Sequence, residues 1–197
     1  WDCRGLDGLT LFDWQEKVVH PAEMRFRDAD FAGRLADDFV RGLIANGTTM
    51  VAAFGSPFPE ATDRAFGVFE KRGMRAVHGM MLNDVNFPDG LSAPADVALD
   101  QSRELAAKWN NQGDGRLHYA FCPRMATCCS EKLLRGAAAL AEMTGAHGLT
   151  PVAASHAEGA AGAPGARRAH RIPGRSGLPR ATPSARGNRE SCCEVLS

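Results

Sequence analysis

Short apolar runs alternate with amphipathic helical patterns from residue 48 to residue 156, and this alternation constrains the fold more than any other feature. The runs are "TTMVAAFG", "MRAVHGMML", "RLHYAF" and "LTPVAAS", the last weakened by Pro151. They are apolar throughout, which is typical of parallel strands covered on both faces. Strand–helix repeats of roughly 30–45 residues predict βα units of an α/β protein. About four such units make half of an eight-fold β/α barrel or a small doubly wound sheet.

The first third of the chain contains one strong helical pattern. "DADFAGRLADDFVRGLIANG" predicts a helix that Asp28 or Asp30 caps and that Asn46-Gly47 ends with a left-handed turn. Before it, "LFDWQEKV" predicts a short helix, and "PAEMRF" predicts a loop because it begins at a proline. Apolar residues at steps of three and four predict the buried face of the long helix; they are Phe31, Leu35, Phe39, Leu43 and Ile44.

The later helical patterns each follow a predicted strand. They are "PEATDRAFGVFEKRG", "ADVALDQSRELAAKWNNQG" and "SEKLLRGAAALAEMTG". Ser130 is the expected cap of the third, and Gly73 the expected end of the first. The expected core contacts of the first two are Ala65, Phe66, Phe69, Val97, Leu105 and Trp109. No G-x-G-x-x-G or G-x-x-x-x-G-K-[ST] follows a strand, which disfavours the nucleotide-binding α/β folds.

Net charge and the lack of long apolar runs give no support for several classes of partner. The formal net charge is zero, which gives no support for a nucleic-acid or anionic-membrane partner. No apolar run approaches the length of a membrane span. The start, "WDCRGLDGLT", is not a secretory signal and lacks an initiator Met, so we expect a cytoplasmic protein whose sequence begins inside a longer gene product.

The cysteines predict free thiols in a reducing compartment. There are six of them, and four lie in adjacent pairs, Cys128-Cys129 and Cys192-Cys193. Neighbouring side chains cannot easily ligate one metal ion, so this is not a zinc pattern. We interpret the cysteines as buried or incidental residues.

The composition changes near residue 157. In residues 159–189, 24 of 31 residues are Gly, Ala, Arg or Pro, and none is Asp or Glu. Such a segment buries too little apolar surface to offset its ordering entropy. We therefore divide the chain into a folded part, residues 1–156, and a low-complexity tail, residues 157–197, that is either disordered or out of frame.

The loop "CPRMATCCS" follows the third predicted strand. In β/α barrels the chemistry lies at the carboxyl ends of the strands. Pro123 stiffens the exit, and Arg124 presents a planar fork of donors suited to a carbonyl oxygen or ring nitrogen of a ligand. The alternative is a surface arginine that pairs with a nearby carboxylate.

Several stretches resemble guanine deaminases in order and spacing, from Leu11 to about Leu140. "LFDWQEKVVHPAEMRF" resembles the family's "LL-x-WL-x-x-x-TFPAE-x-RF". "RGLIANGTTMVAAFGSPFPEATDRAFGVFEKRGMRAVHGMMLNDVNFPDGL" is similar to the next segment, including "NGTT", "FG" and "D-x-N-x-P". "HYAFCPRMATCCSEKL" is similar to "Y-A-x-TPRF-x-x-(S/T)CS". The resemblance implies a zinc-dependent aminohydrolase of the amidohydrolase superfamily, on a partial (β/α)8 barrel, that converts guanine to xanthine and ammonia in purine catabolism.

The resemblance also implies roles for two residues of the loop. Arg124 matches the arginine that helps hold the purine, and Met125 stands where the family has a phenylalanine that packs on the ring. Methionine sulfur packs well on flat rings, but the change puts ring specificity in doubt. Cys122 replaces the threonine of the motif.

The metal site that the resemblance implies is incomplete. Zinc lowers the pKa of a bound water, and a glutamate shuttles the proton to the departing ammonia. "PVAASHAEG" resembles the family's "V-Q-(S/T)-H-x-x-E-N", so His156 is the candidate zinc ligand and Glu158 the candidate proton shuttle. The family's H-x-H pair is absent. Among the other histidines, His78 and His118 lie inside predicted strands and are expected to be satisfied core residues.

Glu158 follows His156 by two positions instead of three, at the point where the composition changes. A one-base shift in a possible codon choice for "RIPGR" yields Gly-Tyr-Leu-Asp-Val, which resembles a downstream segment of the family. We therefore expect residues after about Glu158 to be an out-of-frame translation, and the chain as written to be inactive and to bind zinc poorly.

Two other functions remain open. Met125 stands where the family has a phenylalanine, and this difference favours a related amidohydrolase that acts on another aminated or halogenated heterocycle. The acid-free stretch from Arg167 to Arg189 favours a non-catalytic protein with a basic tail. The family resemblance implies a small purine substrate and a homodimeric parent enzyme, and the lack of a long apolar run predicts no membrane partner.

Overall fold

Every strand pairing in the structure is parallel, as the non-alternating apolar runs predict. The computed structural model describes residues 8–150. Its strands are β1 (Met50–Phe54), β2 (Arg75–Gly79), β3 (Met81–Leu82), β4 (Leu117–Pro123) and β5 (His147–Gly148). Ala76 lies opposite Leu117 and Met81 opposite Cys122. β3 therefore keeps the register of β2 along β4, and the two form one strand interrupted at Met80.

The strand order distinguishes a barrel from a doubly wound sheet. β1 pairs with β2, the interrupted strand β2–β3 pairs with β4, and β4 pairs with β5. A doubly wound sheet would reverse its order at a switch point, whereas neighbours in a barrel follow the chain. The expected α/β fold, a partial β/α barrel of about four units, is confirmed.

Helices cover the sheet in the same order. They are α1 (Leu11–Trp14), α2 (His20–Met24), α3 (Ala29–Ala45), α4 (Pro59–Arg72), α5 (Ala95–Trp109) and α6 (Glu131–Thr144). A π-helical turn, Gln15–Val19, joins α1 to α2, and a 3-10 turn, Arg25–Arg27, follows α2. α3 packs on α4, α4 on α5 and α5 on α6, which is the outer helical layer of a barrel.

The loop prediction for "PAEMRF" is wrong, because the chain stays helical from Leu11 to Arg27. Pro21 lies in the first turn of α2, directly after the π-helical turn Gln15–Val19. The change of hydrogen-bonding pattern at this junction accommodates a residue without an N–H, so the proline does not break the helical path. This difference matters because α2 carries side chains to the candidate site.

The two faces of the strands have different neighbours. Leu117, Tyr119 and Phe121 of β4 belong to the main core under the helices. Ala120 and Cys122 point to the other side, where they form a small cluster with Val77, Leu149 and the partly buried Phe54. This second face is the interior of the barrel, and its small side chains lead towards the carboxyl ends of the strands.

Aromatic rings fill the main core between α4, α5 and β4. Phe66 is fully buried and stacks on Trp109 with a centroid distance of 5.2 Å. The ring centroids of Phe69 and Tyr119 lie 6.3 and 6.1 Å from the ring centroid of Phe66. Phe66, Phe69, Leu105 and Trp109 were expected in the core, and the structure confirms them.

Helix ends follow the sequence signals closely. Asp28 Oδ1 accepts from the backbone N–H groups of Asp30 and Phe31, so the structure selects Asp28 over Asp30 as the cap of α3. Ser130 Oγ accepts from the Leu133 N–H at the start of α6. Gly47 and Gly73 end their helices at φ of +78° and +68°, where glycine carries no steric penalty.

The choice of cap predicts a specific loss of stability. Asp28→Ala is expected to destabilise the chain by about 1 kcal/mol because two N–H groups of the first turn lose their acceptor. Urea denaturation monitored by circular dichroism measures it. Asp30→Ala is the control, since Asp30 makes only an exposed ion pair with Arg64 at 3.4 Å. Equal effects of the two substitutions would contradict the assignment.

The predicted buried face of α3 is partly wrong. Phe39 and Ile44 are 44% and 50% exposed, while Ala32 and Val40 are buried and Leu43 packs at the edge of the core. α3 packs on α4, and Val40 lies in the same core cluster as Phe66 and Phe69 of α4. Helical periodicity predicts an apolar stripe but not which part of a wide stripe meets the neighbour.

The predicted burial of β1 and of Val97 is also wrong. β1 was expected to be buried, but it pairs only with β2 among the described strands, and Met50 is 55% exposed. Val97 is 45% exposed because α5 turns a different stripe inward. That stripe consists of Ala95, Ala98, Ser102, Leu105, Ala106 and Trp109.

The last predicted strand begins earlier than expected. β5 consists of His147 and Gly148, and the Leu149 N–H donates to the Phe121 carbonyl at 2.9 Å. Residues 151–155 of the predicted strand lie outside the described residues. No helix between residues 8 and 150 has the length and apolar character that crossing a membrane requires.

Candidate functional site

The carboxyl ends of the parallel strands meet at one edge of the sheet, and Arg124 follows β4 there. The Arg124 N–H donates to the Leu82 carbonyl at 2.9 Å, which continues the pairing of β3 with β4 by one residue. Arg124 is only 8% exposed. Its position at the end of the strand is therefore fixed by the sheet itself.

Three side chains hold the guanidinium of Arg124. Its Nη1 donates to Glu23 Oε1 at 2.7 Å and lies 2.8 Å from Met81 Sδ. Its Cζ lies over the ring of Phe87, 4.7 Å from the ring centroid. A guanidinium over an aromatic face gains a further cation–π attraction. One expectation was a surface arginine that pairs with a carboxylate. Arg124 does pair with a carboxylate, but it is buried and not at the surface.

Glu23 reaches the site from α2. Burial raises the pKa of its carboxyl above the ordinary value of 4.5, and the charge and hydrogen bond of Arg124 offset only part of that shift. Its second oxygen, Oε2, is buried without a hydrogen-bond partner among the described residues. Glu23 was not predicted as a site residue, although it belongs to the "PAE" of a matched motif.

His20 lies one turn before Glu23 on the same helix. Its ring meets Phe87 edge-on with 4.7 Å between centroids. Burial, followed by the positive charge of Arg124, lowers the pKa of the imidazole. Both ring nitrogens are buried and have no hydrogen-bond partner within residues 8–150. A neutral imidazole is therefore expected beside Arg124.

Met125 is 8% exposed and follows Arg124 into the loop. Its carbonyl accepts from the Cys128 N–H at 3.1 Å, which closes a turn. The residue lies beside Arg124 in sequence, where the resemblance places a ring-packing side chain. Its role towards a purine ring stays a prediction.

The motif residues Asp84 and Asn86 anchor this loop. Asp84 accepts from the Ser130 N–H at 2.7 Å and from the Ser130 hydroxyl at 2.5 Å. Asn86, at a φ of +50°, donates from Nδ2 to the Thr127 carbonyl at 3.0 Å. The "D-x-N" of the resemblance therefore ties the loop after β3 to the loop that carries Arg124 and Met125.

The three cysteines between residues 8 and 150 are free and buried, as expected. They are Cys122, Cys128 and Cys129. Burial raises the pKa of the Cys122 thiol, so no reactive thiolate forms there at neutral pH. Cys3, Cys192 and Cys193 lie outside the described residues.

His78 is a core residue, as expected, but it is only half satisfied, because its Nε2 is buried without a hydrogen-bond partner among the described residues. Its Nδ1 lies 2.9 Å from the Ala53 carbonyl, and its ring packs edge-on against Phe66 and Phe69 on the helical side of the sheet. Burial lowers its pKa to about 4, so it stays neutral. His118 is partly buried, and its Nε2 lies 3.1 Å from the Gly115 carbonyl.

The described residues alone do not fit a zinc ion. Within residues 8–150 there is no group of three or more His, Cys, Asp or Glu side chains arranged to hold a metal. Both predicted metal-site residues, His156 and Glu158, lie outside the described part of the chain. Of the predicted site residues, the described structure contains Arg124 and Met125, and it adds Glu23 and Phe87 as contacts of Arg124 and His20 as a contact of Phe87.

The sequence of this chain is similar to those of several guanine deaminases. The chain is 34% identical to the guanine deaminase of Escherichia coli over 138 residues, which is 70% of this chain and 31% of that protein. It is 35% identical to a probable guanine deaminase of Deinococcus radiodurans over 133 residues, 68% of this chain and 30% of the relative. The chain thus spans about a third of the length of these curated relatives. No family model matches it.

Solved structures agree with the sequence matches. The guanine deaminase of Bradyrhizobium japonicum superposes with a TM-score of 0.74 at 30% identity, covering 78% of this chain and 33% of that one. A zinc-complexed atrazine chlorohydrolase from Arthrobacter aurescens superposes with a TM-score of 0.65 at 18% identity, covering 75% and 37%, which shows the shared fold alone. The sequence matches and the superposed structures together fit a fragment of a guanine deaminase.

Proposed function

We propose that this chain forms the second to fifth βα units of an enzyme that hydrolyses guanine to xanthine and ammonia. The observation that carries the proposal is the position of Arg124. It lies buried at the carboxyl end of β4, and an aromatic ring, a thioether and a carboxylate orient it, in a segment that matches guanine deaminases. An arginine fixed in this way suits a planar ligand with carbonyl and ring-nitrogen acceptors.

Arg124 and Met125 are proposed as the purine-binding residues. The guanidinium edge formed by Nε and Nη2 has no hydrogen-bond partner within residues 8–150, so it is available to an acceptor on the purine. Met125 then packs its flexible side chain on the flat ring. Asp84 supports both residues because it fixes the end of their loop on Ser130.

The catalytic zinc is proposed to bind outside the described residues. His156 would be one ligand, and Glu158, or a glutamate one position further in a corrected frame, would carry the proton to the leaving ammonia. The family resemblance and the zinc in a structure of the same fold support this assignment.

We further propose that residues 1–156 are the enzymatic part and that residues 157–197 are an out-of-frame translation. The acid-free Gly/Ala/Arg/Pro composition and the two-residue spacing of His156 and Glu158 support the frameshift. The intact parent enzyme is proposed to be a cytoplasmic homodimer that acts on a free purine without a nucleic-acid or membrane partner.

One observation supports a second candidate. Met125 replaces the aromatic residue of the family motif, and a thioether places fewer geometric demands on a ring than phenylalanine does. A related heterocycle with an exocyclic amine or halogen is therefore the alternative substrate. The guanine deaminase matches at 34% and 35% identity do not favour it.

A substrate panel tests the proposed function. The zinc-loaded enzyme encoded by the complete gene is assayed for ammonia release from guanine, adenine and melamine, and for chloride release from a chlorotriazine. We expect guanine to exceed the others in kcat/KM by orders of magnitude, and the isolated 197-residue chain to release no ammonia. Preference for another heterocycle would select the second candidate. Ammonia release by the isolated chain would contradict the claim that its metal site is incomplete.

A further inference from the structure

The Glu23–Arg124 pair differs from the other ion pairs between residues 8 and 150 in its burial. Its side chains are 14% and 9% exposed, whereas the next most buried pair, Arg72–Asp37, has side chains 38% and 31% exposed. Exposed pairs contribute little, and a buried pair gains roughly what its desolvation costs. Stability is therefore a weak reason for placing these two charges inside the protein.

The contacts of the pair define an orientation. Glu23 and Met81 occupy one amino group of Arg124, Nη1, and the guanidinium carbon lies over the ring of Phe87 at 4.7 Å from its centroid. The edge formed by Nε and Nη2 has no hydrogen-bond partner within the described residues. The contacts of Arg124 therefore hold one corner of the guanidinium and leave this edge for another partner.

Glu23 has no other hydrogen-bonding task in the described structure. Its Oε1 accepts from Arg124, and its Oε2 is buried without a partner. The contact spans 101 residues of sequence and joins α2 to the end of β4. A carboxylate that serves only one arginine, across this separation, is suited to orienting that arginine.

We propose that Glu23 is a positioning residue that holds Arg124 in the direction required for purine binding. The inference rests on the proposed function and adds a residue to it. Glu23 itself touches no substrate in this account. It keeps Nη1 occupied, so that the Nε–Nη2 edge meets the acceptors of the ring.

Positioning predicts a particular kinetic signature. An arginine that binds the ring equally in the ground state and the transition state contributes uniform binding, so its misorientation raises KM and leaves kcat nearly unchanged. Glu23→Gln keeps the size of the side chain but removes the charge of the acceptor. Glu23→Asp keeps the charge and shortens the reach.

The test uses the zinc-loaded enzyme encoded by the complete gene. We expect Glu23→Gln to raise the KM for guanine about tenfold or more, with kcat within about threefold of the unchanged enzyme. Glu23→Asp should give a KM between that of Glu23→Gln and that of the unchanged enzyme. Glu16→Gln is the matched control, since Glu16 is an exposed glutamate of the same helical segment, and its KM should not change. All assays are run well below the lowest melting temperature of the set.

The outcomes separate the inference from the proposed function. If the unchanged enzyme deaminates guanine and Glu23→Gln leaves KM unchanged, Glu23 does not position Arg124 and the function stands. If the unchanged enzyme does not act on guanine, the function fails and the inference fails with it. If Glu23→Gln does not fold, Glu23→Asp decides, because an unchanged KM there overturns the inference and a raised KM supports it.

Discussion

Arg124→Ala is expected to destabilise the chain by about 3 kcal/mol at pH 7, because it leaves Glu23 buried without its cation. The two side chains are 9% and 14% exposed, so water cannot easily replace the lost partner. The cavity left by the guanidinium also removes the packing on Phe87 and Met81. Urea denaturation of the 197-residue chain followed by circular dichroism measures the difference.

The same substitution has a predictable pH dependence. Burial already holds the pKa of Glu23 above 4.5, so the folded state binds this proton more tightly than the unfolded state does. A carboxyl group whose pKa is raised by folding does not lower the free energy of unfolding below its unfolded pKa. It lowers that free energy as the pH rises through its folded pKa. Without Arg124 the folded pKa rises further, so the effect of Arg124→Ala should be smallest near about pH 4 and grow towards pH 7.

A double substitution provides the control for this prediction. Glu23→Met with Arg124→Met removes both charges and keeps apolar volume, so most of the lost stability should return. A double variant as unstable as Arg124→Ala would show that the packing of the arginine, and not the stranded carboxylate, dominates. An Arg124→Ala effect that does not depend on pH would contradict the burial of Glu23 as an anion.

Phe66→Ala is expected to have a comparably large effect, about 3–5 kcal/mol, because the ring lies at the centre of the core. Phe66 is fully buried and contacts Trp109, Phe69, Tyr119 and His78. Its removal opens a cavity between α4 and the sheet, and aromatic pairs lose their offset contacts as well. Chemical denaturation measures the loss.

Phe39→Ala is the matched control for this experiment. Phe39 was expected in the core from its helical spacing, yet it is 44% exposed on the outside of α3. Its replacement should cost less than about 1 kcal/mol. Similar losses for the two substitutions would mean that the outer face of α3 is covered in solution.

The sequence predicted the order of strands and helices because apolar runs and helical periodicity are local properties. The caps Asp28 and Ser130 and the end at Gly73 followed from short-range chemistry in the same way. Burial was predicted less well, since Phe39 and Val97 fit an apolar stripe but have no partner on that side in the described structure. Periodicity defines a face without saying what packs on it.

The candidate site shows the same limit. Arg124 was predicted because strand ends carry the chemistry of β/α barrels and because its motif matched a family. Its partner Glu23 lies 101 residues away, and pairing over that separation leaves no periodic signal. The "PAE" and "D-x-N" motifs marked Glu23 and Asp84 as matched positions, but only the structure shows that the first holds the arginine and the second holds its loop.

The most direct test of the central claim is to sequence the source DNA across codons 145–175 and to read on in all frames. The account predicts that a one-base correction restores His156-x-x-Glu and opens a long frame with the remaining His and Asp ligands of the barrel. A frame that stands as given, with no continuation in another frame, would contradict the claim that this chain is a section of a zinc-dependent guanine deaminase.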